Sequence, residues 1–289
     1  MGVEVGFSIG KTVLKIFATV MGFTILFVML YPVLFIIIQS ITPEKGIILT
    51  SLTQVFEYGV TFENYLRAFQ DPLFYSALVN SAIISFLTIV ISVVVITPAA
   101  YSFSRFKFFG RDTLLYVYLI LSQVGGGFGI IAVIALFMFL VILNSWGIPI
   151  FNMWVLPFIY ASGAVPFQTW LIKTYFDNLP KELDEAAFID GASWSQIVFK
   201  IVLPASRSAM VIITLFSFMG AWGEFFVANL LRVQTLGAYI FQTAIGPRGE
   251  QAPSLFAALA LIYAIPVILV YIFAQRYIGE AYRMGAVKG

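Results

Sequence analysis

Four long runs of the sequence contain no acidic or basic residue, and they constrain the fold more than any other feature. The runs cover residues 16–43, 72–104, 113–172 and 251–275. A helix that crosses a membrane needs about 20 mostly apolar residues, so each run is long enough for at least one such helix. The third run is long enough for two, and residues 144–149 in its middle are typical of a turn.

A further apolar stretch, 208–231, is interrupted only by Glu224. The sequence therefore predicts an all-α, polytopic integral membrane protein with about six transmembrane helices. The composition agrees, because 61% of the residues are hydrophobic and 10% are charged, whereas soluble domains have about 25% charged residues. The expected spans are, in chain order, 13–40, 74–104, 114–143, 151–172, 207–231 and 254–276.

The distribution of Lys and Arg predicts the orientation of these helices. With the N-terminus inside, twelve of these basic residues fall on the cytoplasmic side and four on the outer side. An excess of basic residues is typical of short cytoplasmic loops. We therefore expect both termini in the cytoplasm, with 279–289 as a cytoplasmic tail.

The chain contains no Cys and no His, which excludes disulfides, Cys/His metal sites and catalysis by a thiol or an imidazole. Gly10-Lys11-Thr12 does not complete a phosphate-binding loop, because the first glycine of that motif would fall at Val5. We expect neither a catalytic residue nor a metal site in this chain.

The largest cytoplasmic segment, 177–206, has the pattern of two short helices joined by a turn. Pro180 suits the first position of a helix, and Gly191 suits its left-handed end. Ser193 and Gln196 then fit a capping box for the next helix. Such a segment is either an ordinary structured loop or a surface that binds a partner.

The same segment contains a spaced motif: Glu185-Ala186-Ala187, three residues, Gly191, nine residues and then Ile201-Val202-Leu203-Pro204. This motif resembles the EAA loop of permease subunits from binding-protein-dependent ABC importers, and every element of the family pattern is present at the family's spacing. Other stretches are similar to the carbohydrate subfamily, and in particular to MalG-type permeases of maltose-type importers. These stretches are 31–34 with 39–40, 61–65, 80–81, 99–106 with 110–111, 166–167 with 170–171 and 179–183, and 285–289.

The resemblance implies the ABC importer permease (MetI/MalG-like) fold, formed by a single transmembrane domain over 1–289. It also implies that the chain is the permease subunit of an ATP-driven importer for a sugar or oligosaccharide, located in the cell (inner) membrane. In the family, the EAA loop docks on the ATPase subunit and couples ATP hydrolysis to transport. The coupling residues carried over are Glu185, Ala186, Ala187, Gly191, Ile201, Leu203 and Pro204.

The resemblance further implies several partners. They are a second permease subunit that completes a heterodimer, an ATPase dimer and an extracytoplasmic sugar-binding protein. Membrane lipid surrounds the chain, and no nucleic acid is expected. No cofactor is expected on this chain, since ATP and Mg would bind to the ATPase.

Weaker patterns suggest two further groups of residues. Glu224 is the only acid well inside an expected span, which favours a buried structural or gating contact over a sugar ligand. The glycine run near residue 126 favours helix packing over pathway lining. The pathway candidates are Gln123, Gly125, Gly126, Gly127, Glu224 and Asn229. The outer loop 232–253 would face the binding protein, and its contact candidates are Tyr239, Gln242, Thr243, Arg248 and Gln251.

Two other transporter classes stay open at this point. One is an ABC importer permease for a non-sugar solute such as a peptide, a polyamine or phosphate. The other is an ion-coupled secondary transporter. Such a transporter would need several acids inside the membrane as proton or ion relays, and Glu224 alone is too few. An intramembrane enzyme fits less well, because the chain has no His, no Cys and no paired intramembrane acids.

Overall fold

The computed structural model of the chain describes residues 9–127, 130–244 and 252–286, and the regular elements in these ranges are all helical. The predicted all-α class is thus confirmed. The α-helices are, in chain order, α1 (Ile9–Ser40), α2 (Val55–Tyr58), α3 (Glu63–Gln70), α4 (Pro72–Arg105), α5 (Arg111–Gly127), α6 (Ile130–Ser145), α7 (Leu156–Asp177), α8 (Glu182–Ile189), α9 (Trp194–Gln196), α10 (Leu203–Ala205), α11 (Arg207–Gly223), α12 (Phe226–Leu230), α13 (Leu236–Ala244) and α14 (Pro253–Ala286). A 3-10 helix, Leu52–Gln54, precedes α2, and a π-helix, Ile197–Val202, joins α9 to α10.

Among the described residues, three helices are long and apolar enough to cross a membrane by length and composition. They are Thr12–Ser40, Pro72–Arg105 and Pro253–Tyr277, which contain the first, second and sixth predicted spans. A bent pair, Trp194–Ala205 with Arg207–Gly223, passes the same test as a unit and turns through 92°. Counted as one span, this pair brings the candidate spans among the described residues to four. Its second helix covers the start of the fifth predicted span, 207–231.

The fifth predicted span, 207–231, is not one continuous helix, so that prediction is wrong. α11 ends at Gly223, Glu224 adopts an extended backbone, and α12 begins at Phe226. Helices α5 and α6 occupy the third predicted span, 114–143, on the two sides of residues 128–129, which lie outside the described ranges. The sixth is longer than expected, because α14 continues to Ala286.

Contacts within the chain form two compact units. The first comprises the described parts of Met1–Gln70 and Gln242–Ile262, and the second those of Asp71–Phe241 and Tyr263–Gly289. The single domain over 1–289 stays a prediction.

Polar side chains hold the first unit together near the end of α1. The Asn64 side-chain amide donates to the carbonyl oxygen of Ser40 at 2.8 Å, and Gln39 Nε2 donates to Ser254 Oγ at 2.8 Å. Glu44 Oε2 accepts the N–H of Ser254 at 2.9 Å. A carboxylate in this position compensates the free N–H groups at the start of α14.

The core of the second unit lies where α4, α7 and α11 pack together. Ile96 on α4, Ile172 and Phe176 on α7, and Ile213 on α11 are all 0% exposed. Small side chains on a membrane helix permit close approach of its neighbours, and α4 follows this rule. Its buried small residues are Ala77, Ser81, Ser85, Thr88, Ser92, Thr97 and Ala100.

Candidate functional site

Helix α8 carries the Glu-Ala-Ala motif and is shaped by residues at both of its ends. Three acids, Glu182, Asp184 and Glu185, lie in its first turn, where they interact favourably with the positive end of the helix dipole. The helix ends at Ile189, and Gly191 has a φ of +78°. This left-handed conformation favours glycine over other residues. The turn predicted at Gly191 is therefore present.

The two sides of α8 differ in burial. Asp184 is 7% exposed and Ala187 is 5% exposed, so these two side chains face the rest of the unit. Glu185 and Ala186 are exposed, and Ile189 is 87% exposed. The helix thus presents Glu185 and Ala186 to the outside, while Asp184 and Ala187 attach it to the rest of the unit.

An aromatic cluster lies beside α8. The ring of Trp194 packs at 4.5 Å from that of Phe188 and at 5.1 Å from that of Phe106, centroid to centroid. Trp194 is still 51% exposed. Phe188 and Ile189 follow Glu185 by three and four residues, so they flank it on the surface of α8. Grouped exposed apolar side chains of this kind are typical of interaction surfaces. An open groove of about 480 Å³ adjoins the cluster and is lined by Pro98, Tyr101, Ser102, Phe106, Trp194, Ser195, Val198 and Phe199.

The second half of the motif anchors the segment. The predicted capping box is present, with the N–H of Ser193 donating to Gln196 Oε1 at 2.8 Å. Leu203 is 5% exposed within the core between α4, α7 and α11. Ile201 is half-buried, and Pro204 is exposed. Of the predicted coupling residues, Leu203 and Ala187 therefore fix the segment, and Glu185 and Ala186 are accessible.

Sequence reasoning missed an ion pair behind α8. Arg105 Nε lies 2.6 Å from Asp184 Oδ2, with side chains 7% and 10% exposed. Arg105 Nη2 also donates to the carbonyl oxygen of Leu179 at 3.2 Å. The available signal was an acid immediately before the Glu-Ala-Ala motif, together with a basic residue at the end of a charge-free run. Nothing in the spacing of these residues indicated that they meet.

Glu224 lies at the break between α11 and α12. Its carboxylate accepts the N–H of Val227 at 2.8 Å and that of Ala228 at 3.4 Å, so it caps the start of α12. The Tyr160 hydroxyl on α7 donates to Glu224 Oε2 at 2.5 Å. Glu224 thus stabilises the start of α12 and links it to α7. Its place in a translocation pathway stays a prediction.

A cavity of about 400 Å³ opens between α7 and α11 next to this carboxylate. Gln168 is 2% exposed, its Nε2 donates to Ser217 Oγ at 3.4 Å, and its Oε1 has no hydrogen-bond partner in the described part of the chain. The cavity therefore combines aromatic faces with a polar amide. Its lining residues are Ile159, Tyr160, Gly163, Ala164, Phe167, Gln168, Phe216 and Gly220.

The other pathway candidates lie elsewhere along the chain. Asn229 is exposed on α12. The backbone of α5 includes Gln123, Gly125, Gly126 and Gly127, and the side chain of Gln123 lies outside the described part of the structure.

In the outer loop, Tyr239 has an inward position that sequence reasoning did not foresee. It is 5% exposed, and its hydroxyl donates to Asp71 Oδ2 at 2.7 Å. Tyr239 therefore holds α13 against the start of α4. Gln242 is exposed and Thr243 is half-buried, so these two are more accessible contact candidates. Arg248 and Gln251 lie outside the described residues, and all these binding-protein contacts stay predictions.

Comparison with known proteins decides the family. The family described as "Binding-protein-dependent transport system inner membrane component" matches residues 96–283. The chain belongs to this family. It is accordingly a multi-pass membrane component of a transport system that works with a binding protein, and ion-coupled secondary transport is no longer an alternative.

Relatives along most of the chain support the assignment. The galactooligosaccharides transport system permease protein GanQ of Bacillus subtilis (strain 168) is 33% identical over 269 residues, which are 91% of this chain and 91% of the relative. The trehalose/maltose transport system permease protein MalG of Thermococcus litoralis is 34% identical over 269 residues, or 90% and 92%. The maltodextrin transport system permease protein MdxG of B. subtilis is 32% identical over 232 residues, or 79% and 81%.

A solved structure supports the fold. It is the crystal structure of a bacterial ABC transporter involved in the import of the acidic polysaccharide alginate, and the likeness has a TM-score of 0.73 at 22% identity. The match covers 94% of this chain and 98% of the other. The ABC importer permease fold predicted from the sequence is confirmed.

Proposed function

We propose that the chain is a permease subunit of an ATP-driven importer for a sugar or oligosaccharide and forms half of its translocation pathway. The observation that carries this proposal is the arrangement of α8. Glu185 and Ala186 are exposed, whereas Asp184 and Ala187, on the opposite side of the same helix, are buried. A capped helix of this kind is suited to docking on another protein while it remains attached to its own fold.

The chemistry of α8 fits an ATPase subunit as that partner. Ala186 has no side chain beyond Cβ, so a partner backbone can approach closely. Glu185 can pair with a basic residue, and Ile189, at 87% exposed, would leave water on docking. ATP and Mg bind to the ATPase dimer, and its closure displaces α8. A second permease subunit completes the pathway as a heterodimer.

A sugar is the solute class best supported. The relatives compared above carry the names of galactooligosaccharide, trehalose/maltose and maltodextrin systems. The cavity between α7 and α11 has matching chemistry, since Phe167 and Phe216 offer ring faces and Gln168 offers an amide. Aromatic faces pack on the C–H faces of sugar rings, and amides bind hydroxyl groups. Twelve basic residues on one side of the predicted spans against four on the other support placing both termini in the cytoplasm. The matched family is described as an inner membrane component, which supports that location for the chain.

The test is reconstitution of the complex with its ATPase, second permease and binding protein in proteoliposomes. We expect ATP-dependent uptake of at least one sugar from a panel of maltotriose, trehalose and galactotriose, and no uptake of a tripeptide or spermidine. Uptake of the peptide or the polyamine alone would contradict the sugar assignment.

The role of α8 is tested separately by Glu185→Lys, which would place like charges together at the docking surface. Truncating one member of a buried interface pair already costs about 2–5 kcal/mol, so we expect the ATPase subunit no longer to co-purify. Asp112→Lys is the matched control, because Asp112 also lies on the predicted cytoplasmic side and its side chain is 67% exposed. If both variants retain the ATPase equally, α8 is not the docking element.

A further inference from the structure

Few buried side chains attach α8 to the rest of its unit. Of its eight residues, Asp184 and Ala187 are buried. Ala187 is small and makes only apolar contacts, which do not fix the direction of a helix. The 2.6 Å contact between Asp184 Oδ2 and Arg105 Nε is an ion pair that links α8 to a long helix.

Arg105 is well placed for such a link because it is the last residue of α4. Its Nη2 also donates to the carbonyl oxygen of Leu179, in the turn that leads into α8. The preceding residue, Ser104, donates to Asp177 Oδ1 at 2.7 Å, at the end of α7. Two adjacent residues of α4 thus hold the chain both before and within α8.

The pair is poorly suited to a purely stabilising role. Asp184 Oδ1 is buried and has no hydrogen-bond donor in the ranges that the structure describes. A buried ion pair that is not fully hydrogen-bonded stabilises a fold little compared with apolar residues of similar volume. What the pair does supply is resistance to separation, because moving α8 away from α4 would leave two buried charges without a partner.

We propose that Arg105 and Asp184 are positioning residues that make α8 and α4 move as one body, so that displacement of α8 by the ATPase is transmitted to α4. The inference rests on the proposed function given above. Because α4 packs against α7 and α11, it carries the core of the unit with it. Without the pair, α8 still presents Glu185 to the ATPase, but part of its displacement is lost at the junction.

The test measures the distance between α8 and α4 in the assembled complex. The chain has no Cys, so spin labels can be attached at Asp190→Cys, directly after α8, and at Phe86→Cys, in a complex whose other subunits lack cysteines. Both native side chains are exposed. Phe86 lies 19 residues before Arg105 on α4, about 28 Å along the helix, which suits double electron–electron resonance. Distances are recorded in nanodiscs with and without the ATP analogue AMP-PNP.

With the pair intact, we expect the same mean distance in both nucleotide states. In Asp184→Asn, AMP-PNP should change that distance by about 2 Å, the scale of helix shifts in switching proteins. The exchanged pair, Arg105→Asp with Asp184→Arg, should abolish the shift. A merely structural pair would lower the yield of complex but leave the distance independent of nucleotide. That result in Asp184→Asn, or failure of the exchanged pair to remove the shift, would overturn the inference.

Asp112→Asn is the matched control, since it removes the same charge from an exposed pair with Arg111 at 2.9 Å. It should show no nucleotide-dependent shift, and a shift as large as that of Asp184→Asn would contradict the assignment. If the ATPase does not co-purify with the unlabelled chain, which keeps Arg105, Asp184 and all of α8, the proposed function itself is wrong. Failure of the two proposals is thus distinguishable.

Discussion

The contact between Tyr160 and Glu224 should contribute measurably to the stability of the fold. Its O–H···O distance is 2.5 Å, and the acceptor is a carboxylate. Hydrogen bonds to charged groups contribute about 1.5–3 kcal/mol, whereas hydrogen bonds between membrane helices average about 0.6 kcal/mol. The charged acceptor favours the first range, and the position of the bond between membrane helices favours the lower end of that range. We therefore expect Tyr160→Phe to lower the free energy of unfolding by about 1–2 kcal/mol.

A double-mutant cycle separates this bond from the capping of α12. Glu224→Ala loses the bond to Tyr160 and also the cap on Val227 and Ala228, which is worth about 1 kcal/mol more. In the double variant, the Tyr160 bond is counted once, so the coupling energy should be about 1–2 kcal/mol. The free energies are measured by SDS titration in mixed micelles, followed by Trp fluorescence.

The control is Tyr116→Phe, because Tyr116 is 63% exposed. It should change the free energy of unfolding by less than about 0.5 kcal/mol, and its effect should add to that of Glu224→Ala. A coupling energy below about 0.5 kcal/mol between Tyr160 and Glu224 would refute the reasoning.

Three further predictions concern orientation, the turn after α8 and the tail. A cysteine at Lys181 should resist a membrane-impermeant maleimide added to intact cells while one at Arg248 reacts, and the reverse pattern would contradict the predicted orientation. Gly191→Ala should lower the free energy of unfolding by about 1–2 kcal/mol because of its φ of +78°. Gly220→Ala, where no described atom lies within 4 Å of the new Cβ, should not lower it, and equal losses in the same SDS titration would count against the argument. Deleting residues 285–289 should reduce ATPase stimulation more than folded yield, and unchanged ATPase rates would show that the tail is dispensable.

The helical class and the long helices could be predicted because charge-free runs of spanning length have few alternatives in a membrane. The break at Glu224 could not. Hydropathy treats this acid as an interruption of one helix, whereas its carboxylate accepts N–H groups three and four residues ahead and so starts another. Local side-chain bonding of this kind has no periodic signature.

The EAA segment could be predicted in detail because its signals are local. The left-handed Gly191 and the capping box from Ser193 to Gln196 depend on residues within a few positions of each other. The link between Arg105 and Asp184 joins residues 79 positions apart. Only the packing of α4 against the segment brings them together, and sequence alone does not contain that packing. The contact between Tyr239 and Asp71 could not be foreseen for the same reason, since the two residues are 168 positions apart.

The 92° bend between Trp194–Ala205 and Arg207–Gly223 gives the chain the geometry of a crank. The first arm has 12 residues and the second has 17, which correspond to about 18 Å and about 26 Å. A stroke of about 2 Å at the tip of the first arm rotates a rigid elbow by about 6°, and the far end of the second arm then sweeps about 3 Å. Because the two arms are nearly perpendicular, a displacement of the first arm becomes a tilt of α11. Under the proposed function, the rigidity of the buried junction at Ser206, which is 7% exposed, would set how much of a displacement of the first arm reaches the far end of α11.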